Sequence, residues 1–425
     1  MSKYVDARNR GAQTRFDAQL AELRKAGDEM TTPTIERTPE LLDEEMLQRF
    51  DERAPVYDRE NRFFQEDFDE LRACGYLDAP LPKELGGGGL TLTEVNRLQR
   101  KLAYHAPATA LAVNMHLYWV GLAADLRRMG DNSCDFILRA AADGQILAAG
   151  HGEAGNDLPL LMSSAKADRV DGGWEITAHK IFGSLSPVWT FLGFHAMDTS
   201  DPAAPQIVHG FLNRDAPRYR IEETWDVLGM RATASQDTIM DRTFVPDDQV
   251  VLVCPAGFAG AGPFHVGLFA WGLLGFAGVY LGIAKRAYDE VVRQLPKRTS
   301  VALTRSMAYH PEVQHTVAEM RIALEAAEAH LDRVCDDWTQ GVDHGHDWPV
   351  KIVACKHNVV SLGWSVVDNA LDVSGGSGIF KRTRLEQLVR DARLGRIHPA
   401  NPMVTHELVG KLSLGLDPDE QPRWG

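Results

Sequence analysis

The residue types best suited to chemistry gather between Leu371 and Asn401 of this 425-residue chain. Gly375, Gly376 and Gly378 offer backbone that a ligand can approach closely, because glycine has no Cβ. An amphipathic stretch with Leu385, Leu388 and Val389 on one face carries Arg390-Asp391-Ala392-Arg393. His398-Pro399 then stops the helix, since the residue before a proline is pushed out of the helical region. Glycines, paired charges and a sharp stop have the make-up of a binding site. Without context, the same letters spell a helix hairpin with a glycine turn. Other candidates carry less. His344-Gly345-His346 invites a metal, but no acid or cysteine stands at ligand spacing, so it reads as a solvated loop and no metal is expected. Gly257, Gly260 and Gly262 lack the strand–turn–helix setting of a dinucleotide fingerprint. Cys74, Cys134, Cys254, Cys335 and Cys355 show no CxxC spacing, which gives neither a zinc motif nor a disulfide framework and suits a reducing compartment.

These residues must be positioned by a chain of ordinary globular composition, 44% hydrophobic and 24% charged. A net charge of −14 argues against nucleic acid or an anionic membrane surface as partner. The first residues carry charge where a signal peptide needs an apolar core, so a cytoplasmic location is expected. The longest apolar run, Val266 to Ile283, is rich in small residues and reads as a buried core helix, not a membrane span. Residues 1–35 read as a polar extension with one short helix bearing Phe16, Leu20 and Leu23. Thr38-Pro39-Glu40 has the letters of a helix start, and Leu42, Met46 and Phe50 follow as a core stripe. Residues 36–145 are expected to be helical, with Thr91 or Thr93 as a cap and a long helix from Ala108 to Ala124.

Near Ile146 the pattern changes. Asp171-Gly172-Gly173 joins two alternating segments as a hairpin, and strands are expected over 188–197, 206–212 and 238–245. Residues 146–255 therefore read as an antiparallel β domain. After a glycine-rich linker from Cys254 to Gly262, helical periodicity returns over 264–297, 310–340, 349–372 and 382–396, a C-terminal helical domain of residues 256–425. The class is α+β. Its order, helices then strands then helices, brings distant residues to one cleft between layers.

That order, with motifs in sequence, resembles the acyl-CoA dehydrogenase superfamily over roughly residues 40 to 415. Leu81-Pro82-Lys83-Glu84-Leu85-Gly86-Gly87 is similar to its proline–acid–glycine loop, and Ala154-Gly155-Asn156-Asp157 to its Ala-Gly-Ser-Asp signature. Trp174 to Phe182, containing Lys180, resembles the strand beside the flavin ring, and Leu228-Gly229-Met230-Arg231-Ala232-Thr233 the Gly-x-Arg-x-Ser/Thr turn. Arg298 stands eight residues after Glu290, where relatives have the arginine that reaches a neighbouring subunit's pyrophosphate. Gly375-Gly376-x-Gly378 and Arg390-Asp391-Ala392 match the C-terminal loop and helix. The resemblance implies an N-terminal helical domain, a middle β domain and a C-terminal four-helix bundle. It also implies FAD, or FMN in a monooxygenase, held by Gly150, Asn156, Phe182, Ser184, Arg298, Asp372, Gly375, Gly376 and Asn401. Phe182 would cover one flavin face and Ser184 would hydrogen-bond the reactive edge. A homo-oligomer, dimer or tetramer, is implied, with an electron-transfer protein or flavin reductase as redox partner.

The chain departs from the pattern where the family's catalytic base stands. Proton abstraction beside a thioester carbonyl calls for a positioned carboxylate. An ungapped count from Arg390 puts Pro399 at that place, and the family's alternative base position falls at Trp271-Gly272. Glu407 lies eight residues further on, about 12 Å along a helix. His398, with an ordinary imidazole pKa of about 6.5, is the substitute base, and the resemblance to the superfamily's flavin monooxygenase branch implies Ser184, His398 and His116 as its catalytic set. Three expectations follow. The first is α,β-dehydrogenation of an acyl thioester with a non-standard base. The second is a flavin monooxygenase that uses reduced flavin and oxygen on a non-CoA substrate. The third is a catalytically inactive family member.

Overall fold

The computed structural model describes residues 41–420, and from Leu42 onward these pack as one compact unit. The readings for residues 1–35 and for Thr38-Pro39-Glu40 lie outside the described residues. Five helices come first: α1 (Glu44–Glu60), α2 (Gln65–Ala73), α3 (Leu92–His105), α4 (Pro107–Arg128) and α5 (Asp135–Ala142). Asp43 caps α1 through the amide of Met46, and Thr91 caps α3 in a reciprocal box with Glu94. Thr93 instead reaches Asp336, 2.9 Å away.

The sheet follows, with β1 (Leu147–Gly150), β2 (Lys166–Val170), β3 (Gly173–Gly183), β4 (Phe191–Asp198), β5 (Gln206–Asn213), β6 (Tyr219–Glu222), β7 (Gln236–Pro246) and β8 (Val250–Pro255). Its order is β6-β7-β3-β2-β4-β5-β8, with β1 beside β4. The β2–β3 hairpin turns on Gly172 at φ +73°, a conformation open to glycine. The expectation of a purely antiparallel sheet is corrected. β1 and β2 both run parallel to β4, because the chain leaves β1, loops through 151–165 and re-enters the sheet in the same direction. β1 and β6 have four residues each, too few to show alternation. β8 occupies residues read as the approach to a linker.

Five helices close the described chain: α6 (Pro263–Gln294), α7 (Pro311–Thr339), α8 (Trp348–Ser374), α9 (Arg384–Arg393) and α10 (Pro402–Leu414). α6 is the axis of the molecule and packs on α3 and α4 as well as on α7, α8 and α9. It is long and apolar enough to cross a membrane, yet its most apolar window is 89% buried within the protein, as expected of a core helix. Glycines make this contact close. A Cβ at Gly278 would lie 2.9 Å from the Asn96 amide, and Asn96 Nδ2 donates to Leu274 O at 2.7 Å. On α9 the buried face is Leu385, Gln387, Leu388, Asp391 and Ala392; Val389 is partly exposed.

Candidate active site

Two loops meet at the end of β3. Residues 182–186 leave β3, residues 228–235 precede β7, and the Leu185 amide donates to Thr233 O at 3.2 Å. Phe182, Leu185, Met230 and Ala234 all hold positive φ, between 45° and 65°. Strained backbone of this kind persists only where the surroundings enforce it, and it clusters at functional sites. Phe182 is 54% exposed, meets Trp225 edge-on and lies beside Gly152. A bare aromatic face on a fixed backbone fits a flat ring system. Behind it runs a hydroxyl chain. Ser184 Oγ lies 2.7 Å from Ser235 Oγ, which lies 2.7 Å from Thr233 Oγ1, and Thr233 donates to Met230 O.

The 228–235 loop is tied to α9 and α1. Gly229 leaves no room for a side chain against the carbonyl of Arg390. Asp391 Oδ1 accepts from the Met230 amide at 2.5 Å. Arg390 forks onto both oxygens of Asp58 at 3.0 and 2.6 Å, and Arg231 donates to Asp58 O. Burial, reinforced by Asp58, pushes the Asp391 carboxyl up to about 6. Thus the Arg-Asp-Ala motif holds the Gly-x-Arg loop. On the other flank, Lys180 and Glu153 form an ion pair with both side chains 1% exposed. Glu153 also accepts from Ser163 and from the amides of Ser164 and Ala165. Despite its burial, that company brings its carboxyl down to about 2.

His398 forms a second group. Its ring stacks on Phe276 at 4.7 Å, and its Nε2 lies 2.8 Å from the Tyr280 hydroxyl. Lys356, 1% exposed inside α8, donates to the carbonyls of His398 and Ala400 at 2.9 and 3.0 Å. Burial, with Lys356 adding to it, depresses the imidazole to about 3, and burial lowers Lys356 to about 7. Tyr280 stays a phenol, its pKa driven well up by burial. The phenol and Nε2 share one hydrogen bond, whose direction follows the imidazole tautomer. Sequence reasoning takes the helix from Trp271 to Tyr280 as pocket-lining without singling out Phe276 or Tyr280, and it missed Lys356. A lysine inside the apolar run Ile352 to Val360 was the available signal.

No free carboxylate stands at either base position among the described residues. Glu407 pairs with Lys411 at 3.0 Å along α10. Beside Trp271 lies Asp125, but its Oδ2 accepts both Trp271 and Trp338 indole N–H groups at 2.8 Å and its Oδ1 pairs with Arg128.

The other expected residues divide. Arg298 donates to Val373 O at 3.0 Å and lies against Gly375, which holds φ +56° and donates to Asp372 O. Arg298, Asp372, Gly375 and Gly376 therefore form one surface at the end of α6. It is roughly 20 Å along the helix from Tyr280, so it does not border the His398 group within one chain. Gly150 packs against Leu192, Asn156 spends its side chain on Glu153, Leu158 and Met162, and Asn401 caps α10. His116 is 1% exposed, with Nδ1 accepting from the Leu147 amide at 3.1 Å. It joins α4 to β1 in the core and does not meet Ser184 or His398 in any hydrogen bond.

Comparison with known proteins gives this geometry a context. The chain matches the acyl-CoA dehydrogenase N-terminal domain over residues 35–132 and the acyl-CoA dehydrogenase C-terminal domain over residues 274–402. A putative acyl-CoA dehydrogenase, YdbM of Bacillus subtilis, is 27% identical, with 85% of this chain and 93% of that protein covered. L-evernosamine nitrososynthase of a Micromonospora species is 28% identical, covering 88% of this chain and 89% of that protein. The solved structure of KijD3 with FMN and a dTDP-linked amino keto sugar superposes with a TM-score of 0.79 at 24% identity, over 92% of this chain and 97% of that one.

Proposed function

Because the chain belongs to the acyl-CoA dehydrogenase superfamily, a family of flavin-dependent oxidoreductases, we propose that it is a flavin-dependent monooxygenase acting on a small non-thioester substrate. One observation carries this reading. Both places where the family keeps a catalytic carboxylate lack a free one: His398-Pro399 stands at the first, and the acid beside Trp271 is spent on two indoles and an arginine. Relatives of both kinds, dehydrogenase and nitrososynthase, share the fold, so the missing base tips the order away from the dehydrogenation that the sequence puts first.

The residues present fit a flavin. Phe182 offers an exposed face, the Ser184–Ser235–Thr233 chain offers a hydroxyl to a ring edge, and Arg298 with the Gly375-Gly376 backbone offers a cationic, amide-lined surface for phosphate. FAD and FMN both satisfy this set. A bound flavin supplies two-electron redox chemistry and, once reduced, activation of dioxygen. The chain's own part is positioning and proton control. Neutral His398 keeps its Nδ1 edge free of Tyr280, which fixes the ring through Nε2, and Lys356 holds the backbone that carries it. We read the distance between the Arg298 surface and His398 as completed by a second chain, giving a homo-oligomer with a cytoplasmic location and a flavin reductase or electron-transfer protein as partner.

The test supplies reduced flavin from a reductase in 18O-labelled oxygen, with a panel of small amines, amino-sugar nucleotides and aromatic substrates. A product carrying the label is expected, and His398→Ala should lower its rate by about a hundredfold or more. Unlabelled product, or an unchanged rate in the variant, would count against the proposal or against the role of His398.

A further inference from the structure

A cluster that the proposed flavin site does not use sits where the sheet edge meets the start of α6. His209 lies on β5, Cys254 on β8 and His265 in the first turn of α6. Ile207 pairs with Cys254 and His209 with Leu252 across the antiparallel strands, so His209 and Cys254 share one face of the sheet. The register shifts here, from His209 opposite Leu252 to Gly210 opposite Val250, which leaves Val251 as an extra residue in β8, as in bulges where a side chain is re-aimed. One ligand atom from each of the three residues lies within 4.8 Å of the others, and Cys254 Sγ is 4.0 Å from His265 Nε2.

The second observation is His209 itself. It is fully buried, and neither ring nitrogen has a hydrogen-bond partner. A buried polar group that loses its hydration without a replacement is costly, and an entire imidazole without a partner calls for one. Phe264 and His195 flank its ring, and neither bonds to it. His209 and His265 are both held in the neutral, ligating state by burial, His265 at about 4.

We propose that His209, Cys254 and His265 bind a zinc ion that staples the edge of the sheet to the central helix. Two imidazoles and one thiolate are a donor set that borderline-soft zinc accepts, with a fourth position left for water. Tetrahedral zinc at about 2.3 Å from sulfur and 2.0–2.1 Å from nitrogen sets ligand atoms roughly 3.4–3.6 Å apart, so the side chains close by about 1 Å. Ligation through His265 Nε2 moves its ring proton to Nδ1 and gives up the 3.3 Å contact from the Gly262 amide, which is only partly buried. Cys254, whose thiol burial keeps protonated, loses its proton to solvent on binding. The sequence held no zinc motif because 44 residues lie between His209 and Cys254, and only strand pairing joins them.

The experiment uses the full chain with its flavin, exposed to zinc sulfate and then desalted through a weak chelator. Elemental analysis is expected to find about one zinc per chain in the parent and almost none in Cys254→Ser or His209→Phe. Zinc K-edge absorption of the parent should show one sulfur and at least two nitrogen ligands, a readout that needs no variant to fold. Three results would overturn the proposal: a parent without retained zinc, a sulfur-free ligand shell, or folded variants that keep the metal.

Discussion

His116 and His398 are both neutral imidazoles, yet they differ in what they can do. His116 spends Nδ1 on the Leu147 amide inside the core, while His398 sits partly exposed on the segment that replaces the family's catalytic glutamate. Burial lowers His116 to about 4. Its unfolded value is about 6.5, so below that pH the unfolded chain takes up a proton that the folded chain refuses, and stability falls with pH until about 4. Relative to His116→Gln, which keeps an acceptor for Leu147 and cannot titrate, the parent should lose about 2 kcal/mol between pH 7 and pH 5. Urea unfolding of both proteins at the two pH values checks this. Parallel pH profiles would show that His116 gains a proton when folded. Motif order singles out Phe182, Ser184 and Arg298, which the structure sets beside the 228–235 loop and against Gly375. Gly150, Asn156 and Asn401, singled out in the same way, stand in a strand contact, a loop and a helix cap, neighbours that only the folded chain shows.

Elements hold these residues through a few ties that the primary sequence does not display. Lys180 on β3 and Glu153 in the loop after β1 are 27 residues apart, and burial of both ends makes the pair a lock between them. Glu153→Gln leaves a buried ammonium without its anion, and a loss of about 3–5 kcal/mol is expected by denaturant unfolding. A loss under about 1 kcal/mol would mean that solvent reaches Lys180. Gly229 is the point where the loop before β7 meets α9. Gly229→Ala pushes that loop off the Arg390 carbonyl, and a cost of about 1–3 kcal/mol is expected with weaker flavin retention on gel filtration. Long periodic helices and the β2–β3 hairpin were legible because their patterns repeat over many residues. The parallel placement of β1 and the existence of β8 were not, because four- and six-residue strands carry too little pattern.

At the scale of the molecule, the order helices, sheet, helices makes sense through α6, which both helical blocks share. Ile379, Phe380, Ile397, Met403 and Leu414 on the C-terminal elements are 46–76% exposed in the single chain. Exposed apolar groups in this number favour association. Light scattering is expected to find two or four chains per particle, and Met403→Asp with Leu414→Asp should shift it toward smaller species. A monodisperse single chain would break the link drawn between the Arg298 surface and a neighbour's flavin. A site without a base for thioester dehydrogenation is tested most directly in an anaerobic titration. Flavin-loaded protein is mixed with saturated acyl-CoAs of several chain lengths while the oxidised flavin absorbance is followed. An unchanged band across the whole series is the predicted result; bleaching by any one thioester would contradict it.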